Sequence, residues 1–433
     1  MAKEVDGSSR IPTCDEYFET IQSRKRLPSS LQESLTAAFA QIPVSSFPEV
    51  PCGKVIEISS DSSILDAVRI LSENNILAAP VRNAELANSD DWKERYLGIV
   101  DYSAIILWVL ENAELASFAL SAGSATAAAL GIGVVGGLGA IAIGATGPVA
   151  IAGLTLAASG AALAGGVATE KSIAKDAVTA ADHLGEQFYR LLLQEEPFKS
   201  TTVKSIVEMY RWAPFLPVAV DSSMLTVLLL LSKYRLRNVP VIDVWNLSID
   251  NFITQSAVVQ GLKQCKGRDW FDCIAARPLS DLGLPFMSYD EVISIKSDEL
   301  ILEAFKIMKD NRIGGLPVLD DPGRKIVASL SIQDIRFLLL RPQLLSGFRH
   351  MTVRDFVEAV DSTSSVLTCN SDALLGTVID SLALRKVHRV YVEKGGEVVG
   401  VVTLRDVISC FICEPPGYSE DFFLSMKEKL MAC

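Results

Sequence analysis

Residues 301–318 read ILEAFKIMKDNRIGGLPV, and the fold follows from how that stretch divides. Ile301, Leu302, Phe305 and Met308 fall at the i, i+1, i+4 and i+7 positions of one helical face, whereas Leu316-Pro317-Val318 opens an apolar extended run. Proline is accepted at the first or edge residue of a strand, where no ladder donor is needed. The same pattern recurs as ILDAVRILSENNILAAPV at 64–81, MLTVLLLLSKYRLRNVPV at 224–241 and LGTVIDSLALRKVHRVYV at 375–392. Behind each copy, past a turn-rich gap, comes another short strand and helix start: Gly98-Ile99-Val100-Asp101, Asn251-Phe252-Ile253-Thr254, Ala328-Ser329-Leu330-Ser331 and Gly400-Val401-Val402-Thr403. The repeating unit is therefore strand, helix, strand, strand, helix. At about 60 residues it buries too little surface to stand alone, so units must pair. Pro80 and Pro240 lie about twice as far apart as Pro240 and Pro317, so a segment has been inserted between units one and two.

The 433 residues, 49% of them hydrophobic, suffice for two or three ordinary cores and exclude a small stapled scaffold. A formal charge of -12 repels a polyanion wherever no local basic patch overrides it, so nucleic acid is not an expected partner. Eight cysteines without a secretory signal at the amino end point to free thiols in a reducing compartment, cytoplasmic or nuclear. Cys410 and Cys413 form a C-x-x-C pair, but no second pair or nearby histidine completes a zinc set, and no metal site is expected. The supply of bases is also short, with only His183, His350 and His388 in the chain. No G-x-S-x-G, G-x-x-x-x-G-K-[ST] or H-E-x-x-H occurs, so no catalytic residue is assigned.

The four copies resemble cystathionine-β-synthase (CBS) domains. Four in tandem with the phrases RWAPFLPV, LLLLSKYRLRNVPVID, ITQSAVV, RIGGLPV, VHRVYV, VVTLRD and EPPGYSEDFF look like the γ regulatory subunits of the SNF1/AMP-activated protein kinase group, the plant members in particular. The resemblance implies an α/β (α+β) fold: four tandem CBS units, β-α-β-β-α each, paired into two modules that form a disk. It gives an N-terminal arm at 1–50, CBS units at 51–114, 198–265, 284–342 and 355–415, an Ala/Gly-rich insert at 115–182 and a C-terminal tail at 416–433. It also implies a non-catalytic regulator of a Ser/Thr protein kinase in energy and carbohydrate signalling. The expected partners are a kinase catalytic α subunit, a β subunit and an adenine nucleotide. AMP, ADP or ATP would be a ligand, and no cofactor is expected.

From 115 to 169 the chain carries no Asp, Glu, Lys, Arg or His. Its two apolar arms flank Thr146-Gly147-Pro148, and each is long enough to cross a bilayer, which takes about 20 residues. Glycine weakens helices, so a water-exposed loop or weak hairpin is an equally physical reading. Membrane association through the insert stays open, and with it a membrane-tethered CBS regulator of a transporter or channel.

A nucleotide needs acceptors for its ribose hydroxyls and cations or N–H donors for its phosphates. The CBS pattern places Ser or Thr three residues before an Asp at a helix start, the carboxylate toward the ribose and the hydroxyl near the phosphate. Ser331 with Asp334 and Thr403 with Asp406 match it. The same spacing is also that of a helix-capping box. Thr254 is followed by Ala257 and Asp101 by Ala104, so units one and two lack the ribose carboxylate. For the phosphates the resemblance implies His388 and Arg389, with Arg237 where animal γ subunits carry another histidine, and Arg312 as a further cation. Asn238 and Leu77 stand where the animal pattern has arginine. Asp101 reads as a solvated turn residue, Lys233, Arg235 and Arg237 as the exposed end of a helix, and the arm, with Tyr17-Phe18 and 31–42, as a polar linker or a partner-docking helix.

Overall fold

The computed structural model describes residues 14–50, 53–74, 76–89, 91–105, 108, 201–209, 214–243, 248–287, 289–320, 325–335, 337, 344, 350–360 and 366–418. Two helices, α1 (Cys14–Arg24) and α2 (Ser29–Gln41), precede the repeats. Unit one contains β1 (Ile58–Ser59), α3 (Ile64–Glu73), β2 (Ala78–Arg82), the short α4 (Trp92–Arg95) and β3 (Tyr96–Asp101). After α5 (Val203–Met209), unit two contains β4 (Val218–Ala219), α6 (Met224–Ser232), β5 (Asn238–Asp243), β6 (Ser248–Thr254) and α7 (Gln255–Gln264). The linking helix α8 (Asp269–Ala275) leads to unit three with β7 (Ile295–Lys296), α9 (Ile301–Asp310), β8 (Gly315–Asp320) and β9 (Lys325–Ser331). Then α10 (Val353–Ala359) precedes unit four, which holds β10 (Thr368–Asn370), α11 (Leu375–Arg385), β11 (Arg389–Lys394), β12 (Glu397–Thr403) and α12 (Leu404–Cys410). Unit three departs from the expected pattern after β9, where Ile332–Ile335 turns as a 3-10 helix.

Each unit forms a three-stranded sheet whose middle strand pairs parallel with the first and antiparallel with the last. The repeat prolines lie inside the central strands, not at their starts as the sequence suggested. They are tolerated because the parallel partner begins one residue later, as Ile58↔Val81, Val218↔Val241 and Ile295↔Val318 show. Unit four has Tyr391 at that position, and there the parallel ladder reaches one residue further back, Thr368↔Tyr391. The Tyr391 N–H donates to the Leu367 carbonyl at 2.9 Å, a bond no proline can make.

Units one and two meet through their sheets, where Tyr96 and Ile99 pack on Phe215, Ile242 and Ile249, with Tyr96 and Phe215 stacked at 4.6 Å between ring centres. Units three and four meet likewise through Val292, Leu319, Tyr391 and Val398. The helices join the modules the other way. Ile64, Ala67, Val68 and Leu71 of α3 share a core with Ile301, Phe305 and Met308 of α9, and α6 and α7 share one with α11 and α12. Units one, two, four and three thus close a ring of contacts, two by sheets and two by helices. Such pairing buries the apolar face that each unit alone would leave wet.

The arm is not a linker over its described length. Phe18 and Ile21 of α1 enter the core shared by units two and four, and the Lys25 ammonium donates to the Ser409 carbonyl at 2.9 Å and to the Ile412 carbonyl at 2.5 Å. Thr36 of α2 accepts from the Cys413 N–H at 2.9 Å. Tyr418 hydrogen-bonds Ser223 and Thr226 at the start of α6. The insert at 115–182 lies outside the described residues, and so does the membrane reading attached to it. Among the described residues no helix is long and apolar enough to cross a bilayer.

Candidate functional site

Every unit ends its third strand on a residue that caps the turn or helix after it. In unit four the Thr403 hydroxyl accepts from the Asp406 N–H at 3.3 Å, while Asp406 Oδ2 accepts from the Thr403 N–H at 2.8 Å and hydroxyl at 2.7 Å. This is a complete capping box. In unit three Asp334 Oδ2 accepts from the Ser331 N–H at 2.7 Å, and the Ser331 hydroxyl donates to the Gly314 carbonyl at 3.4 Å. Thr254 accepts from the Ala257 N–H at 3.0 Å and Asp101 from the Ala104 N–H at 2.9 Å, with no carboxylate three residues on in either case. The two acids of the ribose reading differ in exposure: Asp334 is half-buried, whereas Asp406 is 7% exposed and burial pushes its carboxyl upward.

The cations of the strand entries gather on the facing unit. Arg389 lies against Gly314 and Gly315 of unit three, so closely that a Cβ on Gly315 would overlap the guanidinium and the Leu330 carbonyl. The Gly-Gly pair therefore provides room for an arginine. His388 Nδ1 accepts from Gln333 Nε2 at 3.1 Å. Module one repeats the geometry with different chemistry: Arg237 is the counterpart of His388, and it donates to the Ser103 hydroxyl at 3.2 Å and to Asp101 Oδ2 at 3.0 Å. Asp101 is only 8% exposed, which corrects the solvated-turn reading: it caps its helix start and neutralises Arg237. Arg237, read as a phosphate donor, pairs with a carboxylate of unit one through Nη1, while its side chain stays 42% exposed.

Burial first, then the charges of Arg389 and Arg237, push the His388 imidazolium down from its ordinary 6.5 to about 4. Between those values the unfolded chain takes up a proton that the folded chain refuses. The group's contribution is therefore full above about pH 6.5 and is lost as pH falls toward 4. Denaturant unfolding of His388→Asn at about pH 7 and about pH 4.5 should show a smaller loss of stability than wild type, by up to about 3 kcal/mol. Equal losses in the two proteins would contradict this.

Three residues at one repeat position, Arg235, Arg312 and Lys386, adopt φ of 57°, 52° and 53°, the left-handed region, in the turn between helix and middle strand. Such turns cost a non-glycine residue roughly 1 kcal/mol or more. Arg312 is exposed. Arg235 stacks on the Tyr17 ring at 3.9 Å, and Arg405 approaches the same ring at 5.1 Å. Burial, then Arg405 among its neighbours, lowers the Arg235 pKa, and Arg312 adds to the effect. Lys233 is not an exposed helix end either: its side chain is 8% exposed and its ammonium is held by Asp15 at 2.8 Å and Glu414 at 2.7 Å.

The structure therefore brings together Ser331, Asp334, His388 and Arg389 around the Gly314–Gly315 backbone, pairs Thr403 with Asp406 in a cap, and sets Tyr17 against Arg235 and Arg405, the last adjoining Asp406 in α12. It sets Thr254 apart as a helix cap. Gln333, Arg405 and the Gly314-Gly315 pair escaped the sequence reading. Only the resemblance of RIGGLPV to the family phrases marked the glycines, and nothing marked Gln333.

The CBS domain model matches residues 281–341 and 353–412, units three and four. Over 438 aligned residues the chain is 61% identical to the SNF1-related protein kinase regulatory subunit gamma-1-like of Arabidopsis thaliana, covering 99% of this chain and 98% of that protein. It is 35% identical to the SNF1-related protein kinase regulatory subunit gamma-1 of the same plant, covering 98% and 94%. With the 5'-AMP-activated protein kinase subunit gamma-3 of Homo sapiens the identity is 25%, over 51% of this chain and 45% of that one. A crystal structure from Methanocaldococcus jannaschii, described as an archaeal homologue of γ-AMPK, superposes with a TM-score of 0.50 at 14% identity, covering 84% of this chain and 100% of that chain, a likeness of fold.

Proposed function

The chain belongs to the family of SNF1-related protein kinase regulatory γ subunits, and we propose on that premise that it is a non-catalytic regulatory subunit of such a kinase. In this reading it scaffolds a catalytic α subunit and a β subunit, in cytoplasm or nucleus, and reads adenine nucleotide at the junction of units three and four. The observation that carries the nucleotide part is the setting of Arg389. Its guanidinium is laid on a Gly-Gly backbone beside Ser331, and the half-buried Asp334 stands three residues on.

Asp334 holds the ribose hydroxyls, and Arg389, with Arg312 as a further cation, holds the phosphates. A planar guanidinium binds phosphate oxygens in pairs, and backbone approach without side chains keeps it from being crowded out. His388, neutral at physiological pH, orients through Gln333 and adds no repulsive charge. A nucleotide bound there acts on the kinase only through its differential affinity for the states of the assembly. One charge-assisted phosphate contact, about 1.5–3 kcal/mol, shifts a population by roughly ten- to a hundredfold.

Calorimetric titration of the full chain with AMP, ADP and ATP tests this. Asp334→Ala is expected to weaken AMP and adenosine alike, by roughly tenfold or more. Unchanged affinity, or no binding by wild type at millimolar AMP, would leave the chain a scaffold.

A further inference from the structure

The second ribose carboxylate is not open. Asp406 is 7% exposed and belongs to α12, which shares a core with α6 of unit two and α1 of the arm. Phe18 and Ile21 anchor α1 in the core, Lys233 holds Asp15, and Arg24 holds Glu291 at 2.8 Å and 3.0 Å, so the helix is fixed at both ends. Between those anchors Tyr17 points its ring at the two guanidinium groups of Arg235 and Arg405, 3.9 Å and 5.1 Å from its centre. Asp406 follows Arg405 directly in α12, so its carboxylate stands one residue from a guanidinium that approaches the Tyr17 ring. The Nε atoms of Arg235 and Arg405 are buried and make no hydrogen bond.

We propose that α1 is a built-in competitor at this second position, with Tyr17 standing where the base of an adenine nucleotide would stack between Arg235 and Arg405 above Asp406. The proposal rests on the nucleotide reading of the CBS units. A guanidinium plane stacks on a tyrosine ring and on a purine by the same electrostatics and contact area, so the two compete for one place. Asp406 Oδ2 is committed to the capping box, which leaves Oδ1 as the oxygen for a ribose hydroxyl. The carboxylate, two cations and a stacking slot are therefore all present, and the chain's own aromatic residue fills the slot. Apparent affinity at an occupied place falls by the fraction of molecules in which it is clear, so this position answers only to high nucleotide concentration or to whatever displaces α1.

The test uses the full chain and AMP. Tyr17→Ala is expected to add a binding event, or to tighten a weak one, by at least about fivefold. The gain should vanish in the Tyr17→Ala, Asp406→Asn double variant, while Tyr17→Phe, which keeps the ring, should behave as wild type. If wild type binds AMP through Asp334 and Tyr17→Ala changes neither site number nor affinity, the competitor is overturned and the nucleotide reading survives. Absence of AMP binding in both wild type and Tyr17→Ala overturns both. Should Tyr17→Ala unfold, hydrogen exchange on wild type decides: saturating AMP is expected to speed exchange in residues 14–24, and unchanged or slower exchange there overturns the proposal.

Discussion

Arg389→Ala is expected to weaken AMP binding by roughly ten- to a hundredfold while leaving adenosine nearly unaffected. The asymmetry follows from position: Arg389 sits at a strand entry facing unit three, on the phosphate side of the proposed site, and makes no part of the ribose cradle. Gly315→Ala should have a related effect by another route, because its new methyl group would occupy the guanidinium's place and press on the Leu330 carbonyl. That variant should lose AMP affinity and some stability together, whereas Arg389→Ala loses affinity alone. Titrations at one fixed salt concentration compare the three proteins, since phosphate contacts are screened. Equal losses for adenosine and AMP in Arg389→Ala would move the arginine from the phosphate to the fold.

Leu229→Ala is expected to cost about 2–5 kcal/mol of unfolding free energy. Helix α6 reads MLTVLLLLS and every one of its residues is buried, an arrangement that a helix lying on a protein surface never shows. It is surrounded because α2 of the arm and α12 of unit four close over the faces its own sheet leaves open. The cavity would therefore open where arm, unit two and unit four meet, and relaxation from one side alone cannot fill it. Urea unfolding followed by fluorescence and by far-UV circular dichroism measures the loss. A change under about 1 kcal/mol would mean that the units do not share this core.

Much of this architecture was legible in the sequence because each unit spells its own periodicity. The face Ile301, Leu302, Phe305 and Met308 is buried as its spacing requires, and the prolines mark the middle strands. What the sequence hides is set by partners far along the chain. Asp101 follows a strand and precedes a turn, which in isolation describes a wet residue. Arg237, distant in sequence, is what makes its burial tolerable. Lys233 looked like a helix end for the same reason, its acids coming from the arm and from beyond α12. The S/T-x-x-D spacing could not separate a cap from a ribose cradle, and the structure shows why: the Thr403 and Asp406 side chains form the cap with one carboxylate oxygen and keep the other. Tyr17 stood out only as part of an arm that reads as a linker or a partner-docking helix, since a tyrosine in such a helix acquires its meaning from the arginines it meets.

Co-purification decides whether the chain works as a kinase subunit. The full chain, expressed with an SNF1-related kinase catalytic subunit and a β subunit and passed over a sizing column, should elute with both in equal proportions, and the kinase and β subunit should associate less completely when it is left out. A chain that elutes alone, beside a kinase and β pair that forms equally well without it, would overturn that role.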